Sequence, residues 1–332
     1  MKSSRGLRLG TTLFSFTNEF HARQYSTEQL ILKVAELGLG PGLEIVGFQS
    51  FRDYPEISDK FAEDLKELLS SCKLEPSCLA INADINIGKD RTLTVDELVV
   101  YHEAQIRAAA KLGFPVARCQ FAAGPEVIRR LVPLAERLNV KLGLEIHAPE
   151  AVDSPLVLSY REMYVKVNSP YLGFIPDFGA SAKALPPSFL AHFRKEGVPE
   201  KIVCVAEEVW ATAEGNFGAR LSEYHRRARQ TGAAEADIHK LNMLFAMLSK
   251  QKPSAWIEIM PQVVHVHGKF YEFDKDGNEA AISYAELLPV FRDGGYKGFI
   301  SSEWEGTAFT DDNGFEAVQA HHALCRRILA RA

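Results

Sequence analysis

The chain has 332 residues, 46% of them hydrophobic, enough for a large core and within the size of one α/β barrel of roughly 250 residues plus insertions. Its 38 basic and 43 acidic side chains are mixed along the sequence and leave a formal net charge of -5, so no basic stripe marks it for nucleic acid. No apolar run approaches the roughly 20 residues needed to span a bilayer, and Met1 to Arg5 run into a strand-like segment without an apolar signal-peptide core, so a cytoplasmic protein with no membrane partner is expected.

Leu7 to Phe14 read as a first strand. Ser26-Thr27-Glu28-Gln29 matches a capping box, and Leu30, Val34 and Leu37 follow at helical spacing up to Gly38, a natural terminator. Gly42 to Gly47, containing Leu43-Glu44-Ile45-Val46, reads as a second strand, followed by a helix carrying Phe61, Leu65, Leu68 and Leu69. The alternation continues with a strand near Ser77 to Asn82, a helix from Val95 to Leu112, a strand at Val116 to Phe121 and a helix from about Glu126 to Leu138. Strands near 140–147 and 171–177 come next, then a helix from Pro187 to Lys195. Residues 198–262 break the rhythm with a long, mostly helical stretch. A short strand over Val264 to Lys269 follows, then a turn at Asp276-Gly277, a helix from Tyr284 to Phe291, a strand ending in Glu303 and a closing helix from about Gly314 to Ala330. Eight strands alternating with helices imply a parallel sheet closed into a (β/α)8 TIM barrel. The expected organisation is one domain over 1–332, with a helical insertion at 198–262 before the seventh strand.

Four of these strands pair an apolar run with a metal-ligating residue. Leu142-Gly143-Leu144-Glu145, Phe174-Ile175-Pro176-Asp177 and Phe299-Ile300-Ser301-Ser302-Glu303 end in carboxylates, and Val264-His265-Val266-His267 carries two histidines on one face. A charge in such a run is costly unless paired, and the barrel gathers these strand ends at one mouth. Glu145, Asp177, His267 and Glu303 are therefore the candidate ligands of one divalent metal, with Mn²⁺ favoured because no cysteine joins the set. Either His265 or His267 can ligate; His267 is chosen as the nearer to the strand end. Glu305 shares a face with Glu303 and is a candidate either for supporting a metal ligand or for substrate contact. His21, His102, His192, His225, His239, His321 and His322 are read as residues of solvated faces. The five cysteines form no Cys-x-x-Cys pair and are read as reduced structural thiols.

At these residues the chain resembles the xylose isomerase-like barrel superfamily, whose ligand pattern carries over to Glu145, Asp177, His267 and Glu303. It departs from the ketose 3-epimerases at Ala180, where they keep a substrate-binding histidine, and at Phe273, where they keep an arginine. A narrower resemblance rests on Leu144-Glu145-Ile146-His147-Ala148-Pro149, His265-Val266-His267-Gly268-Lys269-Phe270-Tyr271 and Ser302-Glu303-Trp304-Glu305-Gly306. These look like the α subunit of bacterial C-glycoside deglycosidases. That family implies Mn²⁺, a smaller β subunit, and a 3-oxo-C-glycoside substrate whose sugar–aryl carbon bond is cut by β-elimination. The chemistry needs a base beside the metal. His147, two residues past Glu145, is the candidate, with Glu305 and Lys269 next in line. The competing expectations are a sugar or sugar-phosphate isomerase or epimerase using the same metal site, and a non-catalytic, metal-stabilised scaffold subunit.

Overall fold

The structure, a computed structural model, describes residues 6–87 and 90–331; the opening Met1–Arg5 lies outside the described residues. Eight strands alternate with helices: β1 (Arg8–Thr12), β2 (Gly42–Val46), β3 (Glu75–Ala80), β4 (Val116–Cys119), β5 (Lys141–Ile146), β6 (Leu172–Pro176), β7 (Val266–Phe270) and β8 (Phe299–Trp304). They form one parallel sheet in the order β6-β5-β4-β3-β2-β1-β8-β7. Bridges from Phe174 to Val263 and from Asp177 to His267 draw the two edges together, so the sheet is the nearly closed TIM barrel that the sequence implied. Strands β2, β6 and β7 are buried along their whole length; β6 is apolar throughout, as a strand covered on both faces can be, whereas β2 carries Glu44 and β7 carries His267 and Lys269 into the interior.

Local signals hold where they rest on side-chain chemistry. The Ser26 hydroxyl accepts from Gln29 N at 3.2 Å while Gln29 Oε1 accepts from Ser26 N at 2.8 Å, and the helix they start, Thr27–Glu36, stops just before Gly38 at φ +66. Several boundaries differ from expectation: β3 ends at Ala80 instead of Asn82, and β4 stops at Cys119 instead of Phe121. Thr12 Oγ1 accepts from Phe14 N at 3.3 Å and turns the chain into a 3-10 helix at Leu13–Phe16, ending β1 early. The β7–β8 ladder begins only at Val266, because Val264 N donates to Phe174 O of β6 at 3.0 Å instead.

Between β6 and β7 lie the helices Pro187–Lys195, Glu200–Thr212, Phe217–Gln230, Glu235–Lys240 and Asn242–Met247 and the 3-10 helix Pro253–Gln262. Ile202, Trp210, Tyr224 and Phe245 from this stretch are buried in the same apolar cluster as the barrel's own core. Among the described residues no helix is long and apolar enough to cross a membrane.

The β6–β7 seam closes on glycine. Gly143 and Gly173 are register partners. A Cβ on Gly173 would meet Val264 Cγ1 at 2.3 Å and Gln262 O at 2.6 Å, and one on Gly143 would meet Val264 Cγ2 at 2.9 Å. A backbone carbonyl cannot rotate aside, so Gly173→Ala is expected to cost about 1–3 kcal/mol of stability by overpacking. Chemical denaturation checks this; an unchanged midpoint would mean that the seam has slack.

Candidate metal centre

Strand register brings the polar side chains to one point. Glu145 lies near the end of β5, Asp177 directly follows β6, His267 is in β7 and Glu303 is in β8. Asp177 bridges to His267, and Lys269 is the register partner of Glu303. One donor atom from each of Glu145, Asp177, His267 and Glu303 lies within 4.8 Å of the other three. His267 Nδ1 is 2.6 Å from Glu145 Oε1 and 3.5 Å from Glu303 Oε2. The fully buried Lys269 brings its ammonium to 2.6 Å from Asp177 Oδ2, 3.0 Å from Glu305 Oε1 and 3.6 Å from Glu303 Oε2.

The cluster is short of positive charge. Asp177 Oδ2 and Glu303 Oε2 are buried oxygens that receive no hydrogen bond, the 2.6 Å approach of Lys269 being wrongly angled for one. Burial pushes the Glu303 carboxyl up to about 7 against the pull of His267 and Lys269, and Asp177 and Glu145 add to the push. Burial works against the Lys269 ammonium too, but Asp177, Glu305 and Glu303 outweigh it and hold it well above the ordinary lysine range. Three carboxylates and one imidazole with orphaned acceptor oxygens fit a divalent metal.

Glu44 was not among the expected site residues. It sits inside β2, fully buried, where Oε1 accepts from His267 Nε2 and Oε2 from His265 Nε2, both at 3.0 Å. Burial raises its pKa, yet the two histidines hold the carboxyl well below the usual range. As an ionised acceptor it fixes the proton on His267 Nε2 and turns Nδ1 toward Glu145 and Glu303. His265 also lies 3.0 Å from Ser301 Oγ and groups with Glu44 and Cys78 rather than with the four converging donors. Arg118 is a second omission, its Nη1 standing 3.7 Å from Glu145 Oε2.

His147 stands just past β5, half-buried, with Nε2 3.7 Å from Asp177 Oδ2. Its Nδ1 faces the Ala148 carbonyl. A carbonyl only accepts, so Nδ1 carries a proton, and in the neutral tautomer the lone pair is on Nε2, which faces the cluster. The reading of solvated faces fails for three other histidines, because the inner sides of their helices pack on the barrel. His102, His321 and His322 are fully buried; His321 Nδ1 lies 2.7 Å from Ser302 Oγ with its ring stacked on Phe270, and His322 Nε2 lies 3.2 Å from Gly10 O. All five cysteines are free thiols.

The fold is that of solved xylose isomerase-like TIM barrels. A solved structure of a xylose isomerase-like TIM barrel protein from Mycobacterium smegmatis in complex with magnesium aligns with a TM-score of 0.54 at 14% identity, covering 99% of this chain and 98% of that one. No protein-family model matches the chain. The 3'-dehydrocarminate deglycosidase alpha subunit of Microbacterium sp is 41% identical over 330 residues, 97% of this chain and 95% of that protein. A C-glycoside deglycosidase alpha subunit of Arthrobacter globiformis is 39% identical over 331 residues, 98% of this chain and 94% of that protein. The chain belongs to the C-glycoside deglycosidase alpha subunit family.

Glu44→Gln keeps a hydrogen-bond partner for both histidines but removes the charge that fixes the His267 tautomer. It is expected to weaken divalent-metal binding by about 10- to 100-fold. Metal titration of the purified variant checks this; unchanged affinity would confine Glu44 to neutralising the two imidazoles.

Proposed function

We propose that this chain is a carbon–carbon lyase acting on 3-oxo-C-glycosides, with Glu145, Asp177, His267 and Glu303 holding one divalent metal, Mn²⁺ in this reading. The observation that carries it is the convergence of those four donors at the barrel mouth with His147 beside them, in a chain so similar to deglycosidase alpha subunits. When bound, the metal would polarise the C3 ketone as a Lewis acid and stabilise the charge that develops on its oxygen.

The chain's own groups supply the rest. A ketone at C3 acidifies the hydrogen on C2, and the lone pair of His147 Nε2 takes that proton. The electron pair left at C2 forms the C1–C2 double bond as the bond from C1 to the aryl carbon breaks, and the departing aryl carbon takes up a proton. Lys269, which touches Asp177 and Glu303, and Glu305, paired with it at 3.0 Å, are the further proton carriers of the site. The relatives' designation as alpha subunits supports a smaller β subunit as partner, with residues 198–262 as an insertion that offers it a surface. A cytoplasmic location fits the five free thiols.

The isomerase reading has less behind it. Ala180 is fully buried and Phe273 packs against Phe270 at 5.6 Å between ring centroids, so neither position offers a polar group to a ketose.

Two outcomes test the proposal. Glu145→Gln and Asp177→Asn are each expected to lose the metal, by elemental analysis, while the barrel stays folded; if the wild-type protein holds no metal and added Mn²⁺ restores no activity, the metal reading fails. His147→Ala is expected to keep stoichiometric metal, to lose about 10²- to 10⁴-fold in turnover of a 3-oxo-C-glucoside and to stop exchanging the C2 proton with solvent deuterium. Exchange at the wild-type rate would move the base to Glu305 or Lys269.

A further inference from the structure

Beside the metal centre lies a cavity of about 720 Å³, walled by residues 149–155 after β5, the start of the helix Phe217–Gln230 and residues 249–252. It adjoins the metal-bearing strand ends. Pro149 is two residues past His147, and Ser249 N and Gln251 N donate to the carbonyls of Gly179 and Ala180, just past Asp177, at 3.1 and 2.9 Å.

The wall contains a buried charge without a counter-charge. Arg220 is 3% exposed, and its Nε and Nη1 have no hydrogen-bond partner. Trp210, with its ring centroid 5.7 Å from the guanidinium carbon, is its aromatic neighbour. Burial pulls the guanidinium pKa down from its ordinary value, yet arginine keeps its proton in proteins, and an isolated buried charge is costly. Gln251 repeats the pattern in the same wall: its Oε1 accepts from Val152 N at 2.7 Å while its Nε2 is buried with no acceptor. The N-terminus of the 14-residue helix opens there too, through Gly215, Asn216 and Phe217, and adds the positive end of its dipole.

The acidic side chains of the wall do not answer these donors. Glu258 is paired with Arg161 at 3.1 Å, and Asp153 and Glu214 are exposed. None of these carboxylates pairs with Arg220 or Gln251. Lys250 and Lys252 add further positive groups to the lining, and Pro149, Val152, Phe217 and Ala255 form its apolar part.

We propose that this cavity binds a carboxylate carried on an aromatic ring, held by Arg220 and Gln251. Resting on the lyase reading above, it seats the aglycone of acidic aryl C-glycosides. A planar guanidinium matches a carboxylate with two parallel hydrogen bonds, and an aryl ring fills the apolar remainder.

The test titrates the full-length, Mn²⁺-loaded protein with benzoate, its neutral analogue benzamide and inorganic phosphate by calorimetry. Benzoate is expected to bind at least about tenfold more tightly than either. Arg220→Met is expected to lose benzoate affinity by at least the same factor, to keep its metal and to melt no lower than wild type, since it removes an unpaired buried charge. Gln251→Glu keeps the acceptor for Val152 N, sets a carboxylate in the wall that Arg220 lines, and should abolish benzoate binding while raising the melting temperature. Equal binding of benzoate and benzamide, tighter binding of phosphate, or unchanged benzoate affinity in either variant would overturn the site. Exclusion of benzoate by the partner subunit would overturn it in favour of a protein carboxylate. A kinetic arm compares two 3-oxo-C-glucosides that differ by a carboxylate on the aglycone, and Arg220→Met should lower kcat/KM about tenfold or more for the acidic one alone. Benzoate binding without turnover of either glucoside sinks the lyase reading alone, whereas turnover indifferent to the carboxylate and to Arg220 sinks the anion site alone.

Discussion

Like charges crowded into a dry barrel mouth are the constraint on which the rest of the structure depends. Asp177 is fully buried, and Glu145 and Glu303 nearly so, with donor atoms inside a 4.8 Å cluster. Carboxylates this close, away from water, repel strongly and lose hydration. The protein answers with the Lys269 ammonium, the His267 imidazole and, at 3.7 Å from Glu145, the Arg118 guanidinium. The answer is incomplete, since buried oxygens of Asp177 and Glu303 remain without a donor. A barrel that only needed stability would replace such a cluster with apolar side chains at little cost. Its retention makes sense where a cation is to be held.

The geometry of that cluster is inherited from backbone packing. Seven of the eight strand junctions are parallel ladders, one of them, β2–β3, with a register shift at Leu43/Glu44, whereas β6 and β7 meet only through isolated bridges. One of those bridges joins Asp177 to His267, so the weakest junction of the barrel sets the relative position of two of the four donors. Gly143 and Gly173 let Val264 and the Gln262 carbonyl come close enough for that junction to form. A methyl group at either position would be felt in the site although neither Gly143 nor Gly173 belongs to it.

How much of this was legible in the sequence follows from what each residue had to do. Glu145, Asp177 and Glu303 could be read because each ends an apolar run, and the barrel places strand ends together. Glu44 carried the same signal, a charge inside Leu43-Glu44-Ile45-Val46, but it sits mid-strand, and nothing local says that its neighbours across the barrel are two histidines. The choice of His267 over His265 rested on its nearness to the strand end, yet β7 starts at Val266 and runs on to Phe270. What separates the two rings is tertiary: His265 meets Glu44 and Ser301, while His267 reaches Glu44 through one nitrogen and Glu145 through the other. His102, His321 and His322 escaped because a histidine on a helix carries no mark of which side faces the barrel. Arg220 lay in a segment whose composition reads as ordinary surface helix, and its lack of a partner is visible only in three dimensions.

The metal centre and the neighbouring cavity offer different groups, and a β-elimination would use both. At the metal centre, cation-binding oxygens and the His147 lone pair would receive the sugar, where a proton leaves C2 and charge moves onto the C3 oxygen. In the cavity, buried donors without acceptors would face the aglycone, whose ring carbon carries electron density away as the C1 bond breaks. A carbon leaving group departs reluctantly because it has no electronegative atom to hold that density. An anchored carboxylate would hold the ring in the pose from which C1 releases it, so Arg220 would act on acidic aglycones through position and leave turnover of neutral ones to the groups around the metal.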